Sequence, residues 1–172
     1  MRYGKHAIAA LVLGLCVSRT HAQAENRLLV VAQVCFLESG WNETDCAAEV
    51  GVARTRAKRV NGSWLTVLRQ YSALDKGSER SKRVRTYPWG DVPGMTPKWQ
   101  ERWRELRASV VRIDAGEVPN PCPGAEDWGG TMDHPHPRMI PVACTSQTAN
   151  TFYRLGPKST RTITAAKASG IR

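Results

Sequence analysis

Between Glu25 and Glu38 the chain carries apolar side chains on nearly every face of a helix: Leu28, Leu29, Val30, Val31, Ala32, Val34, Cys35, Phe36 and Leu37. A helix at the surface keeps a polar face, so one that is apolar all round has to be surrounded by other elements. The segment predicts a fold wrapped around it, and it ends on a carboxylate, Glu38, before Gly40 and Trp41 break the helix. Asn42, with Asp45 three residues on, resembles a capping box and predicts a second helix to about Val60, stopped by Asn61-Gly62. The apolar side of that helix is Cys46, Ala47, Val50, Ala53 and Ala57.

Ser63 is placed to cap a third, short helix with Leu65, Leu68 and Tyr71. From Asp75 to Met95 the period dissolves into an expected loop holding Lys76, Arg80, Lys82, Arg83 and Arg85. Thr96-Pro97 then puts proline at a first helical position, and Trp99, Trp103, Leu106, Val110 and Val111 follow at helical spacing up to Gly116. Pro119 to Pro141 reads as irregular or a small hairpin, and Thr148 to Leu155 as a last turn of helix. The expected class is mainly α (α+β), a single domain with a loop-rich or small-hairpin C-terminal part.

Residues 1–24 read as an export signal. Arg2 and Lys5 precede an apolar run from Ala7 to Val17, and Ala22-Gln23-Ala24 offers the small residues a signal peptidase reads. The run is too short to stay as a membrane span, and Leu15 before Cys16 stands where a lipoprotein signal wants a small residue. Cleavage after Ala24 leaves residues 25–172, with 25–156 as the folded domain and a basic, polar tail over 157–172. No later segment is apolar for long enough to cross a membrane. The compartment is periplasmic or extracellular.

Export gives the cysteines their meaning. Without Cys16 the count is even, Cys35, Cys46, Cys122 and Cys144, as expected of disulfides in an oxidising compartment. Four cysteines allow three pairings; Cys35–Cys46, joining consecutive helices, and Cys122–Cys144, closing a loop-rich segment, are preferred. Zinc is disfavoured because no pair of C-x-x-C motifs is present. The whole chain carries +10; loss of Arg2, Lys5 and Arg19, with no acid, leaves +7 on the exported form. Outside the inner membrane the abundant polyanions are envelope polymers rather than nucleic acid, and the positive charge either draws the protein to them or simply keeps it soluble.

Glu38 is the most informative residue. The negative end of a helix dipole and an apolar surround both favour the protonated carboxyl, the form a glycosidase needs to protonate a leaving oxygen. The bland reading is a solvated glutamate at a helix end. Phe36-Leu37-Glu38-Ser39-Gly40, followed by the alanine-rich helix through Val52-Ala53-Arg54-Thr55-Arg56, resembles the opening of the SleB-type cell-wall hydrolases, the spore-cortex-lytic enzymes and their relatives. Gln70-Tyr71-Ser72 is similar to that family's glutamine-aromatic-serine motif, and Gly124-Ala125 and Thr151-Phe152-Tyr153-Arg154 resemble its last landmarks. Order and spacing agree from Leu28 to Leu155.

The resemblance implies a lysozyme-like domain that cleaves the glycan strands of peptidoglycan without a cofactor. Glu38 would be the catalytic acid, and Gln70, Tyr71 and Ser72 would bind substrate; read from the residues themselves, Trp128 in its glycine-flanked loop is a groove candidate, and the Ser72 and Tyr153 hydroxyls either orient an acetamido group or simply cap and pack. The resemblance implies lytic transglycosylation through a single glutamate, with muramidase hydrolysis as the variant should a second carboxylate face it. Where the family usually has a histidine after its Gly-Ala, this chain has Glu126-Asp127, and the insert Glu79 to Thr96 and the four cysteines read as decorations of a subgroup.

Trp41, Trp89, Trp128, Tyr71, Tyr87 and Tyr153 offer faces on which sugar rings stack, whereas Trp99 and Trp103 read as core. His134 and His136, in a proline-rich loop without a third partner, read as solvent-facing rather than as metal ligands. The rival reading is a non-catalytic, basic module that binds glycan or envelope polymer, and a secreted nucleic-acid binder ranks third.

Overall fold

The computed structural model of the chain describes residues 23–129 and 137–156. The expected signal segment up to residue 22, the basic tail from residue 157 and the pair His134 and His136 lie outside the described residues. The protein is mainly helical, with one small antiparallel sheet. Helix α1 runs through residues 23–38, α2 spans Glu43–Val60 and α3 Trp64–Tyr71. A 3-10 turn, Ala73–Asp75, and the short α4, Glu79–Val84, lead to α5, Pro97–Ala115. Strands β1 (Asp127–Gly129), β2 (Met139–Pro141) and β3 (Thr151–Leu155) form a sheet in the order β1-β3-β2.

As its composition demands, α1 is enclosed: Val31, Ala32, Val34, Cys35 and Phe36 are buried in a core completed by Val50, Ala53 and Ala57 of α2, Val67 and Leu68 of α3, and Trp103, Leu106, Val110 and Ile113 of α5. A second, smaller core of Ala48, Val52, Cys122, Ala125 and Phe152 fills the space between α2 and the sheet. Helix α2 therefore serves both cores, which is why it is buried without interruption from Asp45 to Ala53. Small side chains there let neighbours approach on two sides.

The expected ends of α2 hold. Asn42 Oδ1 accepts from the Asp45 amide at 3.1 Å, and Asn61 closes the helix with φ 50°. The capping box is only half made, because the Asp45 carboxylate turns away from Asn42 toward another part of the chain. Pro97 and Gly116 bound α5 as expected, the latter at φ 81°, a conformation that favours glycine. Ser63 and Thr96 occupy N-cap positions without a side-chain cap bond. Both expected disulfides are formed, Cys35–Cys46 between α1 and α2 and Cys122–Cys144 beneath the sheet.

Three expectations change. The segment Asp75 to Met95 is not simply a loop: Ser78 Oγ caps the Ser81 amide at 3.1 Å and starts α4. The rest is ordered by buried side chains that donate to its carbonyls. Gln33 Nε2 reaches the Tyr87 carbonyl at 3.1 Å, and Trp103 Nε1 reaches those of Pro88 and Gly90 at 3.2 and 3.1 Å. Within the segment Thr148 to Leu155, Thr151–Leu155 is strand rather than helix. Its Thr-Phe-Tyr run suits a pleated surface, and two partners supply its ladder, with Trp128 opposite Phe152 and Ile140 opposite Arg154. Of the two readings of Pro119 to Pro141, irregular or a small hairpin, the hairpin is not formed, since β1 and β2 both pair with β3 rather than with each other.

Candidate functional site

At the end of helix α1 the Ser39 amide makes the last helical bond, to the Cys35 carbonyl at 2.9 Å, and the Ser39 hydroxyl donates to the same carbonyl at 2.9 Å. Gly40, at φ 70°, takes the chain out of the helix. The half-buried Glu38 carboxyl then meets two donors from distant segments. Its Oε1 accepts from the Ala73 amide, and its Oε2 accepts from Trp128 Nε1 at 3.4 Å. The Ala73 amide is available because it opens a 3-10 turn, whose first N–H groups have no partner within the turn. Ser72 Oγ takes the next of these, from Leu74 at 3.2 Å.

The sheet positions Trp128. Its neighbours in β1 and just before it are anchored to α2 by two ion pairs, Arg56–Asp127 at 3.3 Å and Arg59–Glu126 at 2.7 Å. Glu126 Oε2 also accepts from the Leu155 amide at 2.9 Å. Burial pushes the Glu126 pKa up, but the bonds from Leu155 and Arg59 and the Arg59 and Arg56 charges outweigh it and hold the carboxyl below its usual value. The acids at the place of the resembled histidine thus fasten the sheet to α2.

The other expected site residues are distributed unevenly around Glu38. Tyr71 is 40 % exposed, with the Arg56 guanidinium 3.6 Å from its ring centroid, so one face of the ring is covered. Gln70 is exposed on α3. Ser72 is buried, and its hydroxyl donates to the Arg69 carbonyl at 2.9 Å while capping Leu74; the structure gives it a backbone role. Tyr153 is buried in β3 opposite Asp127. Cys35 and Cys46 brace the α1–α2 corner that presents Glu38, and Cys122 and Cys144 brace the approach to the sheet.

Among the aromatic residues, Trp103 is core as expected, but Trp99 is 43 % exposed. Trp99 packs edge-on against Trp41 with ring centroids 4.8 Å apart. With Phe36, Tyr87, Val92, Met95 and Arg83, it lines a cavity of about 510 Å³. Neither Glu38 nor Trp128 lines that cavity. Its wall carries no carboxyl.

Sequence reasoning gave Asp45 only a capping role and found no partner for Glu38 in Glu49. Asp45 and Glu49, one turn apart on α2, are both completely buried. Asp45 accepts from the Ala149 amide at 3.0 and 3.1 Å and from the Asn150 amide at 3.4 Å. Glu49 Oε1 accepts from Asn150 Nδ2 at 3.2 Å. Burial first, then the charges of Glu38 and Asp45, push the Glu49 pKa well above its usual value, against the hydrogen bonding of Asn150 and Ser39. The available signal was the i, i+4 pair of acids among the small, apolar residues of α2.

The arrangement offers one half-buried carboxyl with an N–H donor on each oxygen, an indole beside it and a second carboxyl within electrostatic reach. Among the described residues, no group of three or more His, Cys, Asp and Glu is arranged to hold a metal ion. No protein-family model, no curated protein and no solved structure matches the chain.

Proposed function

We propose that this chain is an exported peptidoglycan-cleaving enzyme that acts on the bond between N-acetylmuramic acid and N-acetylglucosamine as a lytic transglycosylase. The observation that carries the reading is the setting of Glu38: a half-buried carboxyl at the end of the central helix, beside Ala73 and Trp128. The two donors to Glu38 adjoin further segments of the SleB resemblance: Ala73 follows Gln70-Tyr71-Ser72, and Trp128 follows Gly124-Ala125.

In the reaction, the protonated Glu38 carboxyl gives its proton to the bridging oxygen as the C1–O bond breaks. The resulting carboxylate takes the proton of the muramyl C6 hydroxyl as its oxygen closes on C1. The product is an anhydro ring, no water is consumed, and Glu38 is protonated again. Hydrolysis by paired carboxylates needs a second one about 5–9.5 Å away and open to the sugar or to water. Glu49, the acid coupled to Glu38, is completely buried, which favours the single-acid route.

The two disulfides fit an oxidising compartment, and no described helix is long and apolar enough to cross a membrane. Periplasmic or secreted localisation, and attraction of the basic surface to anionic envelope polymers, belong to the proposal. A non-catalytic glycan-binding module remains the second reading, because both oxygens of Glu38 already have protein donors and a structural carboxylate would look the same.

Purified sacculi decide between them. Glu38→Gln keeps an acceptor for Ala73 but has no transferable proton, and its activity should fall by about 10²–10⁴, with melting temperature and sacculus binding close to wild type. Wild-type products should end in anhydro-muramic acid, lighter by one water than hydrolysed ends. Hydrolysed ends would make the enzyme a muramidase, and full activity in Glu38→Gln would leave the binding module as the account.

A further inference from the structure

We infer that Glu49 is a positioning residue of the Glu38 site: paired with Glu38 in the interior, it holds the turn at Asn150 from which the Trp128 wall is hung. The inference rests on the reading of Glu38 as the acid.

Glu49 belongs to a closed circuit of contacts. Its Oε1 accepts from Asn150 Nδ2 at 3.2 Å. Asn150 leads directly into β3, β3 pairs Phe152 with Trp128, and the Trp128 indole donates back to Glu38 at 3.4 Å. Asp45, one turn earlier on α2, grips the same turn through the Ala149 and Asn150 amides. Two buried carboxyls of one helix face thus set the entry to the strand that places Trp128.

The two carboxyls are not equivalent. The Asp45 oxygens accept backbone N–H bonds, whereas Glu49 Oε2 is buried and, among the described residues, has no partner at hydrogen-bond distance. The titratable and polar groups that act on Glu49 are Glu38 and Ser39 from the end of α1, Asp45 from its own helix and Asn150 from the turn before β3, and no cation is among them. A carboxylate buried beside two other carboxyls, with no cation to offset it, is the unfavourable state. A proton on Glu49 removes the like-charge repulsion. On Oε2, it also turns a stranded acceptor into a donor.

The neutrality of Glu49 matters to the proposed chemistry. When Glu38 gives its proton to the glycosidic oxygen, its new charge forms beside a neutral neighbour. An ionised Glu49 would oppose that charge and hold the proton on Glu38.

Carbon-13 NMR titration of the side-chain carboxyls tests the pairing without any substrate. Glu49 should titrate above the ordinary glutamate range in wild type and at lower pH in Glu38→Gln. A Glu49 titration that Glu38→Gln leaves unmoved would overturn the inference. The kinetic arm uses sacculi. Glu49→Leu, which lacks the bond to Asn150, should lower turnover roughly 2- to 10-fold, the worth of one neutral hydrogen bond, and Glu49→Gln should restore most of it. Because glutamine imitates the neutral acid, Glu49→Gln should also keep the wild-type pH profile; a displaced profile would overturn the inference. If wild type does not cleave sacculi, the enzymatic reading fails, while the titration still decides whether Glu49 and Glu38 form a pair.

Discussion

Trp128 donates its indole N–H to Glu38 at 3.4 Å across 90 residues of sequence. This bond joins the last turn of the central helix to the first strand of the sheet, so the carboxyl and its aromatic wall are placed by different halves of the chain. Trp128→Phe keeps an aromatic face and loses the donor. Turnover on sacculi should fall about 2- to 10-fold with glycan binding retained, whereas Trp128→Ala should weaken binding as well. A Trp128→Phe enzyme at the wild-type rate would leave the N–H without a role.

Acid should loosen the sheet through Glu126. Its folded pKa lies below its usual value, so its contribution to stability is complete above the unfolded value of about 4.3 and is lost as pH falls through the lower, folded value. Melting temperatures taken from neutral pH down to about pH 3 should fall more steeply for wild type than for Glu126→Gln. Parallel curves would remove Arg59 and the Leu155 amide from the account of acid stability.

Gly51 should resist replacement by alanine, although alanine is the better helix former by roughly 1 kcal/mol. A Cβ at Gly51 would run into the Asn120 carboxamide, whose Oδ1 accepts from the Cys122 amide at 2.9 Å. The neighbour is tied into the disulfide-closed segment and cannot simply swing aside. Gly51→Ala should destabilise by about 1–3 kcal/mol, the usual cost of overpacking, as measured by denaturant unfolding. In the double variant with Asn120→Ala the loss should be less than additive.

The two disulfides should each be complete in exported protein, with no free thiol on peptide mapping without reduction. Replacing Cys35 and Cys46 by serine opens a loop of sequence separation 11 and should cost about 3 kcal/mol in unfolding free energy. The corner that carries Glu38 loosens with it, so activity should fall in material that is still folded. Undiminished activity would show that the Ser39–Cys35 bonds hold the corner unaided.

Much of this protein is legible in its sequence because the deciding signals are local. Asn42 and Asn61 bound α2, Pro97 and Gly116 bound α5, and the all-round apolar surface of α1 requires burial whatever surrounds it; each is a property of a few consecutive residues. The even cysteine count and the carboxylate ending the buried helix are read the same way. The tertiary structure decided what depends on remote partners. Thr151–Leu155 is a strand because β1 and β2 supply its hydrogen bonds, and the stretch from Asp75 to Met95 is ordered because Gln33 and Trp103 reach its carbonyls. Glu49 lies on a helix whose pattern gives no sign of a sheet packed against its far side. Only that packing removes water from the carboxyl and sets it beside Glu38, because burial and charge coupling depend on distances in space that no spacing along the chain records.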